Sequence, residues 1–178
     1  MTDTPTKTIL VTTGATSPFP SLLSAALSAP FLATIRSLGY TDLRIQYGDC
    51  QKLFQTLSAA AFPSCGSITL TGFSFADDFR TEVTHADLVI SHAGSGSILD
   101  ALRFQKRLVV VVNGALMDNH QKELAEELGS VGYLVEGSVE NLHEAAKKAE
   151  TFEFKHFPAG GSGKFCDILD EEVGLNLD

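Results

Sequence analysis

Short apolar runs alternate with stretches of helical composition along most of the chain. Residues 8–13 (TILVTT) are β-branched or aliphatic almost throughout, which predicts a buried parallel strand. Residues 43–47 (LRIQY), 67–71 (SITLT), 88–90 (LVI), 107–112 (RLVVVV) and 133–136 (YLVE) predict five more, and the run at 107–112 is hydrophobic enough to be central. Helical stretches fall between them at 21–38, 51–60, 75–86, 118–128 and 139–150, and after the turn at 92–97. Pro30 interrupts the first, giving two short helices or one kinked helix. Regular alternation of strand and helix predicts an α/β fold. The expected form is a Rossmann-like, mostly parallel sheet with helices on both faces and right-handed crossovers. The chain reads as one domain over 1–178, with its core at about 8–150 and a last short helix at 165–173.

Two patterns refine this picture. Leu22, Leu23, Leu27, Phe31 and Ile35 exceed one narrow apolar stripe, so the stretch either packs wholly in the core or offers part of its surface to a partner. Phe75, Phe79 and Val83 recur at i, i+4 and i+8, which predicts an amphipathic helix.

Composition narrows the function. With 178 residues and 44% hydrophobic positions, the chain has enough core to fold without disulfides. Cys50, Cys65 and Cys166 have no zinc or redox spacing and suit a reducing compartment. The net charge of -9 argues against nucleic acid as the main partner. The polar N-terminus does not read as a secretory signal, and the longest aliphatic run, Leu108 to Val112, is five residues. A spanning helix needs about 20.

The candidate chemistry centres on residues 87–100, DLVISHAGSGSILD. Strand, glycine turn and helix bring backbone N–H groups up to an anion. Gly94 and Gly96 remove Cβ atoms that would block its approach, while Ser95 and Ser97 add hydroxyls. An ordinary βα turn with a serine cap would look the same. A second small-residue turn, Gly14-Ala15-Thr16-Ser17, follows the first strand. Ligands of such sheets sit at the C-terminal strand ends, so both turns and residues 113–121 are expected along one rim.

Asp100, one turn into its helix, suits a pair of vicinal hydroxyls or simply the helix N-terminus. Asp118-Asn119-His120-Gln121 opens another helix, where a cap or a sugar-binding turn would both fit. His92 is a ligand-binding or a structural histidine. Neither turn carries the dinucleotide fingerprint, so NAD is not expected. PAGGSGKF at 158–165 departs from a P-loop at both ends. No Asp-x-Asp motif is present; Asp77 and Asp78 are adjacent in a helical stretch, and no metal or cofactor is expected.

VISHAGSGSILDAL and LVVVVNGALMDNHQKELAEEL, with ILVTTGATSPFPSLL, IRSLGY and the Phe-x-Phe stretch at 73–75, carry a resemblance. Over roughly residues 8–137 the chain resembles the catalytic subunits of the eukaryotic dolichol-pathway N-acetylglucosaminyltransferases, of the glycosyltransferase family 28 C-terminal domain. It is more distantly similar to the C-terminal half of the bacterial transferase that adds N-acetylglucosamine to a lipid-linked peptidoglycan precursor. The resemblance implies the donor-binding half of a two-domain GT-B enzyme. The acceptor half would be a separate membrane-anchored subunit holding the chain on the cytosolic face of the endoplasmic reticulum. The implied reaction moves N-acetylglucosamine from UDP-GlcNAc to dolichyl-diphosphate-GlcNAc with inversion, and the dolichol-linked acceptor is reached through the partner.

By motif position the resemblance puts Gly14, Ala15 and Thr16 at the diphosphate, and Gly94, Ser95, Gly96 and Ser97 at the phosphates beside His92. Asp100 would meet the ribose, Asn119, His120 and Gln121 the sugar, and Phe73 and Ser74 the uracil. The family usually has Glu where this chain has Asp100, and Gly-Thr-Thr where it has Gly-Ala-Thr. No general base is assigned; His92 and His120 are the candidates. A UDP-sugar epimerase or hydrolase, or a binding subunit without turnover, stays open as an alternative.

Overall fold

The computed structural model describes residues 6–14, 17–114 and 119–158. Its first strand, β1 (Thr8–Thr12), lies between β2 (Asp42–Gln46) and β4 (Leu88–His92). β3 (Thr69–Phe73) pairs outside β2, while β5 (Arg107–Val111) and β6 (Val135–Gly137) continue beyond β4. The order β3-β2-β1-β4-β5-β6 is parallel throughout. Strand order reverses between β1 and β4, and connections diverging there leave a crevice at the C-terminal ends.

Alternation along the strands sorts the core into two layers. Ile9, Val11, Leu43, Ile45, Leu88, Ile90, Val109 and Val111 share one layer with residues of α1 (Pro20–Ala26), α2 (Ala29–Ser37), α3 (Gln51–Cys65) and α7 (Leu142–Thr151). Leu10, Val89, Leu108 and Val110 share the other with α4 (Phe79–His85), α5 (Ser95–Arg103) and α6 (Asn119–Val131). Leu22, Leu23, Leu27, Phe31 and Ile35 are all buried in the first layer. The apolar surplus of that stretch is therefore core, and no part of it is left as a docking face.

Element ends differ from the sequence reading for local reasons. Ser28 caps α2 by accepting from the Phe31 N–H, so Pro30 falls in a first turn that needs no donor there. Two helices result. α3 continues to Cys65 through Pro63, because Ala59, whose carbonyl loses its donor, is solvent-exposed. α4 starts only at Phe79, since the Asp78 carboxylate accepts from the Arg80 and Thr81 N–H groups. Phe75 thus lies outside the helix and is half exposed, while Val83 stays buried. β3 runs on through Gly72, where the Phe54 ring covers the position a Cβ would take. α6 runs to Val131 before Gly132, at φ +96°, turns the chain toward β6. Residues 165–173 lie outside the described residues.

The N-terminal rim is closed by one carboxylate. Glu150 accepts from Lys7 Nζ at 3.0 Å, from Arg107 Nη1 at 3.1 Å and from the Tyr40 hydroxyl. These bonds join the end of α7 to the starts of β1 and β5 and to the turn before β2.

Candidate functional site

At the opposite rim, buried polar groups replace the aliphatic layers. Gln46, Thr12 and Ser91 lie side by side in the strand register, and each is buried. The Thr12 hydroxyl donates to Gln46 Oε1 at 2.6 Å and accepts from the Gly14 N–H at 3.3 Å. The Thr13 hydroxyl and N–H both donate to the Gln46 carbonyl, at 3.0 and 3.2 Å. The turn after β1 is therefore held by β2 before any ligand arrives.

A cavity of about 350 Å³ opens above this layer, at the divergence between β1 and β4. The first connection contributes Thr13, Ser17 and Phe19; the end of β4 contributes His92; the start of α5 contributes Gly94, Ser95, Gly96 and Ser97. Asn113, after β5, and Gln121, in the first turn of α6, complete the wall. Three separate stretches of sequence thus meet in one cleft.

The α5 end is electrostatically prepared for an anion. Gly94 is its N-cap and carries no side chain to satisfy the first N–H groups, and no acidic residue stands in the first turn. Such an uncompensated terminus carries partial positive charge, worth roughly 0.3–1 kcal/mol to an anion when exposed. A Cβ on Gly96 would meet nothing within 4 Å, so the cleft is open at that point.

His92 is held differently from a surface ligand. Its Nε2 lies where a Cβ on either glycine would fall, 2.5 Å from the Gly14 position and 2.3 Å from the Gly94 position. Burial pushes its pKa below the ordinary value, against a hydrogen bond to the Thr12 backbone that works to raise it. The imidazole is consequently neutral near pH 7, and its Nδ1 is buried without a partner among the described residues.

The remaining expected site residues divide. Gly14 stands against His92 beside the cleft, but Ala15, Thr16 and Asp118 lie outside the described residues. Asn119 and His120 are the first two residues of α6, directly before Gln121. Asp100 does not line the cavity. Its Oδ1 accepts from Arg80 Nε at 3.2 Å, and the arginine side chain is 65% exposed. With its arginine this exposed, the pair contributes little to stability, although the Asp100 side chain is only 18% exposed. Phe73 and Ser74 do not line the cavity either. Their carbonyls accept from the Tyr47 and Gly48 N–H groups, and the Arg44 guanidinium covers the Phe73 ring at 4.8 Å. Phe19 escaped the sequence reading, because a buried aromatic before Pro20 reads as core and only the geometry turns it toward the cleft.

Residues 8–161 match the glycosyltransferase family 28 C-terminal domain. Over 173 residues the chain is 41% identical to "UDP-N-acetylglucosamine transferase subunit ALG13" of Yarrowia lipolytica, covering 96% of this chain and 86% of that protein. The Saccharomyces cerevisiae protein of the same name is 33% identical over 195 residues, covering 94% of this chain and 96% of its own. An NMR solution structure of ALG13 superposes with a TM-score of 0.74 at 32% identity, covering 95% of this chain and 98% of that one. The crystal structure of Acinetobacter baumannii MurG gives 0.63 at 17% identity, a likeness of fold. It covers 98% of this chain and 51% of that one.

Proposed function

Because this chain belongs to the glycosyltransferase family 28 C-terminal domain family, we propose that it is the donor-binding subunit of an inverting transferase. The transferase moves N-acetylglucosamine from UDP-GlcNAc to dolichyl-diphosphate-GlcNAc. The observation that carries this reading is the convergence of the β1 turn, the α5 N-terminus and the α6 first turn on one cleft. That arrangement supplies backbone donors and hydroxyls for a diphosphate on one side and an amide for a sugar on the other.

In this reading an acceptor hydroxyl oxygen bonds to the anomeric carbon as the bond from that carbon to the β-phosphate oxygen breaks. UDP leaves with growing negative charge, and the α5 N–H groups and the Ser95 and Ser97 hydroxyls stabilise it where they already stand. A general base takes the acceptor proton. His92, enclosed between two glycine turns, is poorly placed for that role, so the base belongs to the partner or to His120. Asp100 exchanges Arg80 for the ribose hydroxyls when the nucleotide binds. Preorganised donors stand in for a metal, and turnover is expected to survive EDTA.

No helix among the described residues is long and apolar enough to cross a membrane. We assign the acceptor-binding half to a membrane-anchored partner, which holds this chain on the cytosolic face of the endoplasmic reticulum. The test is an assay with UDP-GlcNAc and the lipid acceptor, with and without that subunit. Product only with both supports the reading. Turnover of UDP-GlcNAc by this chain alone supports an epimerase or hydrolase, and donor binding without turnover in either case supports a regulatory subunit.

Gln121→Ala separates sugar from nucleotide recognition. It is expected to raise the KM for UDP-GlcNAc by about tenfold, the cost of one hydrogen bond to an uncharged group or slightly more. UDP binding by titration calorimetry should change less than twofold; an equal loss for both would remove the residue from the sugar.

A further inference from the structure

Gly94 has ordinary extended backbone angles, φ -75° and ψ 125°, which any residue adopts. Its position is also a helix N-cap, where Ser, Thr, Asp or Asn would satisfy an N–H group that glycine leaves alone. Neither conformation nor capping calls for glycine here. What calls for it is the His92 ring: a Cβ at Gly94 would stand 2.3 Å from Nε2 and 2.7 Å from Cε1. On the other side the same ring stands 2.5 Å from where a Gly14 Cβ would be. The imidazole thus fills the space between the turn after β1 and the turn that opens α5.

We propose that Gly94 is glycine to admit the His92 ring rather than to admit the ligand, and that the ring sets the separation of the two anion-facing turns. His92 is then a positioning residue: it acts on the diphosphate through the Gly14 and Gly94 backbones. The proposal deepens the donor-binding reading and rests on it for the identity of the anion. Gly96 is the contrasting case, since its missing Cβ faces open cleft.

The experiment is a double-mutant cycle on the full chain with Gly94→Ala, His92→Ala and the pair. It is read by the thermal midpoint without ligand and by calorimetric titration with UDP. Residues in direct contact couple by amounts equivalent to about two- to 150-fold in an equilibrium constant. Gly94→Ala alone is expected to lower the midpoint and weaken UDP binding by about tenfold, through the displaced ring. His92→Ala should weaken UDP binding because the turns lose their spacer. Adding Gly94→Ala to His92→Ala should then cost less than about twofold more, and the midpoint should not fall further.

If Gly94→Ala costs the same UDP affinity in both backgrounds, the glycine serves the ligand and the proposal is overturned. It is equally overturned if His92→Ala leaves UDP affinity unchanged, or if the double variant fails to fold while His92→Ala folds. Should His92→Ala itself not fold, His92→Asn, whose shorter side chain has no atom where Nε2 meets Gly94, provides the background. A wild-type chain that binds no UDP would overturn the donor-binding reading instead. The ligand-free midpoints then decide alone whether the glycine admits the ring.

Discussion

Gly14→Ala is expected to cost about 2–5 kcal/mol of stability, whereas Gly96→Ala in the same site is expected to add up to about 1 kcal/mol. The two glycines differ in what surrounds them. Gly14 has φ +88°, where an L side chain is strained by about 1–2 kcal/mol, and its Cβ would enter the His92 ring. That ring is confined by Gly94 on its far side, so it cannot retreat without moving the start of α5. Overpacking of this kind typically adds about 1–3 kcal/mol. Gly96 sits in the first turn of α5 with empty space beyond it, where alanine relieves the backbone entropy of glycine. Thermal melts should show the Gly14 variant losing about 5–15 °C and the Gly96 variant losing nothing. UDP affinity should fall for both, so stability and binding move apart only for Gly96→Ala. Equal midpoints for the two variants would contradict the assignment of the ring to the Gly14 side.

At the other rim, Glu150→Ala is expected to destabilise by about 2–3 kcal/mol, because it strands the Lys7 and Arg107 charges and the Tyr40 hydroxyl together. The figure lies below that for a fully buried charge because Lys7 and Arg107 remain 28% and 42% exposed. Burial works to raise the Glu150 pKa, but hydrogen bonds from Tyr40 and Lys7 and the charges of Lys7 and Arg107 outweigh it. The carboxyl is held below its ordinary value of 4.5. Burial, together with the neighbouring carboxylate, pushes Tyr40 far up, so it remains a donor at any working pH. Since the folded state prefers ionised Glu150, its contribution is fully present above about pH 4.5 and is lost as pH falls through the lower folded-state value. Melts from pH 7 to 3.5 should therefore fall more steeply for the wild type than for Glu150→Gln. Parallel curves would show that the carboxylate is not linked to folding.

The order of elements was legible because buried parallel strands such as residues 107–112 leave unbroken aliphatic runs. The glycine turns at 14 and 94–96 punctuate them. The rim was legible too, since parallel topology sends every βα turn to one end. What each residue does there was less so. From sequence, Gly94 and Gly96 are the same signal; only the backbone angles and the position of His92 separate a residue that admits a ring from one that leaves the cleft open. From sequence, Asp100 suits either vicinal hydroxyls or the helix N-terminus; its pairing with Arg80, 20 positions away, is one that no helical spacing reveals. The helical pattern at 75–86 starts one turn before α4 because Phe75 fits the period, while the Asp78 cap decides the start. The Glu150 cluster was invisible, since its members lie up to 143 positions apart and meet only after the sheet has formed.

The two rims lie about 15 Å apart, the length of a five-residue strand, which exceeds the roughly 8 Å over which physiological salt lets exposed charges feel one another. Substitutions around Lys7, Arg107 and Glu150 should therefore change how much folded protein a cell keeps without altering its appetite for donor. Inherited variation at that end would show itself as dosage alone, whereas variation at the cleft would reach ligand binding, with dosage added where, as at Gly14, the position also carries the fold.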